Sequence, residues 1–289
     1  MRRASAATTF ATFCENADLE FSTYRVDWIR QLVTLLDDRE KIVHEAAWLA
    51  LDELVKSIDK DEMDSLVTPL RRTIDSTGAP GRTVPGFSLD KGIAPILPII
   101  LAGLTGGNNE QREHAAYSIA DIVERTSETS IRPYTTQLTG PLIRVITQAT
   151  TSPPPVKGGI LYALTVMLDR IPVFIKPFFP QLQRTFAKSL TDASLSVRLR
   201  AVAALTVLMK HQLRVDPLIT ELIGAVRSNE EAVAGSVASA LAGVVTSARQ
   251  NVSEASCDTL LQLVSDSFSD PHEGMRFSKI IWYHTYKLE

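Results

Sequence analysis

Apolar side chains along this chain recur three and four residues apart, and one short arrangement of them returns five times. An anchor is followed by a residue that is usually basic, then by a small or β-branched residue, then by Ala-Leu or a near equivalent. The arrangement first reads Val43-His44, Ala47, Ala50-Leu51. It returns as Gln111-Arg112, Ala115, Ser118-Ile119 and as Val156-Lys157, Ile160, Ala163-Leu164. The last two copies are Val197-Arg198, Ala201, Ala204-Leu205 and Val233-Ala234, Val237, Ala240-Leu241. Residues at this spacing share one face of a helix, so each copy predicts a helix with a narrow, closely packing apolar side.

The anchors are 68, 45, 41 and 36 residues apart. All but the first interval match a two-helix unit of the HEAT or armadillo kind. Pro95, Pro141, Pro180 and Pro217 precede their anchors by 16, 15, 17 and 16 residues. Proline is accommodated in the first turn of a helix, where its missing N–H has no partner to lose. These prolines therefore predict where the first helix of each pair starts, and each unit is a helical hairpin. Six residues before the basic position stand Asp38, Gly106, Thr151, Asp192 and Ser228. An Asp there suits the cap of the second helix and a contact with the basic residue, with Asp192 and Arg198 the clearest pair. Val197 and Ala201 are then the structural positions of the same unit.

The fold predicted is an all-α solenoid of about six helical hairpins. Residues 1–21 predict a disordered leader, because they are basic, rich in Ser and Thr, and free of acid before Glu15. That composition also fits an organelle-targeting segment. Residues 22–76 hold the first unit plus an extra helix near Asp61–Asp75. Residues 77–90 form a Gly/Pro-rich loop read as a flexible excursion, and 91–250 hold four units as the main array. Residues 251–289 form a divergent terminal unit whose second helix begins near Met275. Lys279 and Trp282 fill its small-residue positions, which predicts a truncated end, since a lysine at a helix contact is costly to desolvate.

Composition narrows the function. The chain has 289 residues, 45% hydrophobic and 22% charged, an ordinary composition for a soluble globular protein. Cys14 and Cys257 are too few for a disulfide framework and suit a reducing, cytoplasmic setting. No apolar run reaches the length of a membrane span. None of the five histidines has a partner at metal-ligand spacing. The Gly78–Thr83 loop lacks the lysine of a phosphate loop, and no nucleophile elbow occurs. The sequence therefore predicts no enzyme, no cofactor and no small-molecule substrate.

Charge is uneven. Between Ile131 and Arg214 lie eleven Lys or Arg and two acids, a local charge of +9 within a chain of net charge −3. Over screening distances of about 8 Å the local excess decides what approaches. Arg144 falls off the apolar side of its helix, Arg184 and Lys188 share an outer face, and Lys176 precedes them beside Phe178 and Phe179. These four are the candidate partner-binding residues. An acidic protein surface or a nucleic-acid backbone fits them, and so does a spacer role with a merely solvated face.

Particular strings add to this. Val84-Pro-Gly-Phe-Ser-Leu-Asp-Lys-Gly92, Glu110-Gln-Arg-Glu113, Thr139-Gly-Pro-Leu-Ile-Arg144, Lys176-Pro-Phe178 with Pro180-Gln-Leu-Gln183, Val197-Arg-Leu-Arg200 and Val215-Asp-Pro-Leu218 stand out. Over roughly Tyr24 to Arg249 the chain resembles the C-terminal HEAT region of the general-control-nonderepressible translational activators, co-activators of the amino-acid-starvation kinase. The resemblance implies a non-catalytic scaffold on ribosomes that binds the RWD domain of that kinase, which phosphorylates initiation factor two alpha. It also implies that an arginine carries the kinase contact, and Arg144 is the matching candidate. Members of that family are many times longer than this chain. The alternatives are a ribosomal-RNA or other nucleic-acid-binding array, and a structural spacer.

Overall fold

A computed structural model describes residues 2–16, 23–79, 81–148, 152–228 and 231–269. Within them the chain is helical and contains no strand. It divides into two compact units, Met1–Lys176 and Pro177–Glu289. The division falls inside the 91–250 stretch that the sequence predicts as one array.

In the first unit, α1 spans Arg2–Asn16, α2 Arg25–Leu35, α3 Lys41–Lys56, α4 Val67–Ser76, α5 Leu97–Thr105 and α6 Asn109–Arg125. The short α7 (Glu128–Ile131) leads to α8 (Thr135–Gln148), α9 (Pro154–Arg170) and the short α10 (Pro172–Ile175). The hairpins are α2/α3, α5/α6 and α8/α9; α3 stacks on α1, α6 on α9, and α5 on α8. In the second unit α11 (Phe179–Ser189) pairs with α12 (Leu195–Met209), and α13 (Asp216–Ser228) with α14 (Glu231–Ala248). Here α12 stacks on α14, and α15 (Glu254–Ser269) packs on α13 in the place of a further first helix. The sixth second helix expected near Met275, with Lys279 and Trp282, lies outside the described residues.

The repeated apolar side is the core. Val43, Ala47, Ala50, Leu51, Val156, Ile160, Ala163, Leu164, Val197, Ala201, Ala204 and Leu205 are all fully buried. Gln111 stands where other copies have Val for a local reason. Its Oε1 accepts from the backbone N–H of Asn108 at 2.7 Å, and Asn108 Oδ1 accepts from its N–H at 3.0 Å. That reciprocal pair is a capping box, and it satisfies two N–H groups that a helix start otherwise leaves unpaired.

The register six residues before the basic position has a defined geometry. Asp38 Oδ1 accepts from Glu40 N at 3.0 Å, and Asp192 Oδ1 accepts from Ser194 N at 2.9 Å. His44 Nδ1 lies 3.0 Å from Asp38 O, and Arg198 Nη1 donates to Asp192 O at 2.9 Å and Ala193 O at 3.1 Å. The basic side chain thus reaches the backbone carbonyl of the Asp, and Ser194, not Asp192, stands at the N-cap of α12. Arg198 is buried and its Nε donates to Ser236 on the stacked helix α14 at 2.9 Å.

Four differences from the sequence expectation have physical causes. The leader expected over 1–21 is helix α1 as far as Asn16. Ala4, Ala7, Ala11 and Cys14, one small-residue face at helical spacing, are buried where α1 packs on α3. The 77–90 loop is packed from Val84 onward, while Ala79 and Gly81–Thr83 are exposed. Val84 and Phe87 are fully buried, Val84 N donates to Arg125 O at 2.8 Å, and Gly86 N donates to Leu36 O at 2.8 Å. At Gly86 a Cβ would stand 2.6 Å from Leu36 Cβ and 2.9 Å from its Cα, so only glycine fits.

The other two concern proline. Pro180 and Pro217 lie in the first turns of α11 and α13. Pro141 instead lies inside α8, which begins six residues earlier at Thr135. Leu138, Thr139 and Leu142, all fully buried, hold that turn in place. The carbonyl that loses its partner belongs to Gln137, which is exposed to solvent. At α5 the first turn contains Pro98, and Pro95 stands two residues before the helix.

Buried polar contacts tie α4 to α6. Arg125 is buried and donates to Ile74 O, to Thr77 O at 2.6 Å and to Asp75 O at 3.2 Å, so it caps the C-terminus of α4. Arg71 Nη1 lies 2.7 Å from Asp121 Oδ2. Burial pushes the Asp121 carboxyl up from 3.8 to about 6, with Arg71 and Arg125 offsetting part of it. His114 Nδ1 meets Thr68 Oγ1 at 2.9 Å, so this histidine too has a structural partner.

Candidate protein-docking surface

The basic stretch sorts into side chains the fold uses and side chains it leaves outward. Arg198 is consumed by the backbone and Ser236, as above. Arg132 lies over the Phe174 ring at 5.3 Å, a cation–π contact within the first unit. Arg170 Nη2 donates to Glu124 O at 3.4 Å near the end of α6. Arg144, Lys176, Arg184, Lys188, Lys210 and Arg214 are exposed.

Arg144 is exposed on α8, whose Leu142 and Ile143 are buried beside it. Lys176 is exposed in the 3-10 turn Lys176–Phe178, between the buried Ile175 and Phe179. On α11, Leu182, Phe186 and the following Leu190 are buried, and Arg184 and Lys188 are exposed one turn apart. Neighbours four apart on a helix stand about 6 Å from one another, so these two form one basic face. Arg144 and Lys176 belong to the first unit, and Arg184 and Lys188 to the second. Among the described residues, none of the four side chains is engaged in a hydrogen bond or ion pair.

Two further outward residues were not singled out from the sequence. Leu195 and Leu199, four apart on α12, are 56% and 55% exposed. The signal for them lies in the repeat register. Two residues before the five anchors stand Lys41, Asn109, Pro154, Leu195 and Glu231, and two after stand Glu45, Glu113, Gly158, Leu199 and Gly235. Only the fourth copy has leucine at either place.

Among the described residues no three His, Cys, Asp or Glu side chains are grouped to hold a metal ion. No single described helix is long and apolar enough to cross a membrane.

Antiparallel helix pairs, with second helices stacked on second helices, define a HEAT-type α-solenoid, a class whose helix faces serve as binding surfaces. The fold is shared with a chain of the Kap95:Nup1 complex, at TM-score 0.60 and 13% identity, covering 97% of this chain and 39% of that one. A family model described as stalled ribosome sensor GCN1-like, HEAT repeats, matches residues 1–91. The eIF-2-alpha kinase activator GCN1 of Saccharomyces cerevisiae is 37% identical over 284 residues, 97% of this chain and 11% of that protein. The stalled ribosome sensor GCN1 of Homo sapiens is 31% identical over 280 residues, 96% of this chain and 10% of that protein. The chain is a HEAT-repeat region of the GCN1 family. It spans about a tenth of the length of the curated relatives it matches.

Proposed function

We propose that this chain is a non-catalytic translational-control scaffold. In this reading it binds the RWD domain of a starvation-responsive initiation-factor kinase and promotes kinase activation on ribosomes in the cytoplasm. The relatives' names, eIF-2-alpha kinase activator and stalled ribosome sensor, support the setting. The observation that carries the contact is the basic face of Arg184 and Lys188 in the second unit; in the first unit Arg144 of the Thr-Gly-Pro-Leu-Ile-Arg string and Lys176 are exposed as well. Exposed cations of this kind steer an acidic partner and fix its register.

The test is a calorimetric titration of the isolated RWD domain into the chain at about 50 and about 200 mM salt, a range over which screening of surface charge rises. Saturable binding that weakens with salt supports the reading, and no binding at either salt removes it. A ribosomal-RNA contact is the second reading, favoured by the +9 stretch from Ile131 to Arg214. Its mark is RNA affinity that falls steeply across the same salt range.

A further inference from the structure

The two leucines of α12 occupy positions that its sister helices give to solvent. At the same register α3 carries Lys41 and Glu45, both exposed, and α6 carries the exposed Asn109 and the half-buried Glu113. The anchor Val197 between them is fully buried, so the helix is not turned over: its inner side is inside, and leucine stands on the outer side. One exposed leucine is ordinary, but two on adjacent turns make an apolar ridge, which is the form that interfaces use.

The hairpin that carries that ridge displays cations. Arg184 and Lys188 are exposed on α11, which pairs with α12, and Asp192 is the one acid between Pro177 and Arg214. Lys188 lies in the last turn of α11, just before the turn that leads into Leu195. An apolar pair four residues apart, on a hairpin whose other helix displays Arg184 and Lys188, is complementary to a helix with an apolar stripe and acidic flanks.

We infer that the α12 ridge of Leu195 and Leu199 docks an acidic amphipathic helix of the partner, with Arg184 and Lys188 of the same hairpin meeting its acidic flank. The inference rests on the RWD-domain reading above and gives that contact an apolar centre beside charged residues, an anatomy in which the buried centre carries affinity and the charges carry rate and specificity.

The test titrates the isolated RWD domain into the full chain, as wild type and as two double variants. Leu195→Gln with Leu199→Gln is expected to weaken binding at least tenfold while the helical melting transition and the salt dependence stay as in wild type. Leu195→Met with Leu199→Met keeps the ridge apolar and is expected to bind within twofold of wild type. Wild-type affinity in the Gln pair overturns the ridge and leaves the kinase reading standing. Equal loss in the Met and Gln pairs also overturns it, because apolar contact is then not what is read. Absence of wild-type binding removes the kinase reading and the ridge with it.

Discussion

Arg198 reaches back six residues and donates to the backbone carbonyl of Asp192 at 2.9 Å. His44 makes the same reach to Asp38 at 3.0 Å, in a copy of the repeat far from it in sequence. A carbonyl only accepts, so His44 carries its proton on Nδ1. The shared geometry explains why a basic or imidazole side chain follows the anchor. It closes the turn before the second helix, where backbone carbonyls otherwise lack partners. In Arg198 one guanidinium also reaches Ser236 of α14, so a single side chain links a turn to the next hairpin.

Arg198→Ala therefore removes a buried charged donor from two carbonyls and one hydroxyl. The expected loss is roughly 2–4 kcal/mol, since hydrogen bonds to charged groups contribute about 1.5–3 kcal/mol each and the stranded acceptors are partly buried. Urea unfolding followed by circular dichroism measures it. A change below about 0.5 kcal/mol would show that the turn stands without the arginine.

Arg125→Ala is expected to be at least as harmful, because three carbonyls at the end of α4 lose their donor together. The roughly 1–3 kcal/mol for each unsatisfied buried group sets the scale. Arg82→Ala is the contrast. Its two 2.7 Å contacts to Asp37 are at the surface, and an exposed pair contributes about 0–1 kcal/mol. Both anchor the 77–90 segment, so comparing their midpoints separates burial from mere contact.

Gly103→Ala tests close packing of α5 on α4. A Cβ there would stand 2.2 Å from Val67 Cγ2, and Val67 is fully buried and stiff at χ1. Overpacking of this kind costs about 1–3 kcal/mol. Val67→Ala in the same chain is expected to restore part of the loss, an interaction that a double-mutant cycle reads directly.

Two carboxyls give opposite pH dependences. Asp121 has a folded pKa of about 6, above its unfolded 3.8, so the folded state binds the extra proton between those values. Its contribution is present below pH 3.8 and is lost as pH rises through 6. Asp121→Asn removes that dependence, so the variant gains on wild type by about 1–3 kcal/mol between acid and neutral pH. Asp216 is the reverse case. Hydrogen bonds from Ser256 and then Ser253 hold its carboxyl below the usual range. Its stabilisation is present above the unfolded value and disappears as pH falls through the folded one. Unfolding midpoints of wild type, Asp121→Asn and Asp216→Asn measured across acid pH check both signs.

Arg144→Glu, Arg184→Glu and Lys188→Glu together are expected to abolish RWD-domain binding with no shift in the thermal transition. All three side chains are exposed, and surface substitutions away from buried contacts usually change stability by about 0.5 kcal/mol or less. A calorimetric titration beside a melting curve reads both. Unchanged affinity would remove the basic residues from the contact.

Much of this protein is set within a window of a dozen residues. The five anchors, the small residues that follow them and the prolines of α11 and α13 fix helices and their inward faces, because helical periodicity depends only on near neighbours. The outward Arg144, Arg184 and Lys188 were legible for the same reason: each lies off the apolar stripe of its own helix. What tertiary structure alone decided involves partners distant in sequence. Arg125 finds its acceptors 48 to 51 residues away, and Gly86 is fixed by Leu36. Neither contact leaves a periodic trace, which is why the loop of glycines and prolines reads as free and is in fact packed from Val84 onward. The Ala4, Ala7, Ala11 and Cys14 face lies between these cases. Its spacing is helical in the sequence, but small residues bury too little to declare a helix until α3 stands against them. Leu195 and Leu199 show the same limit from the other side. Sequence says they are apolar, and only the packing of α12 shows that both stand exposed among the described residues.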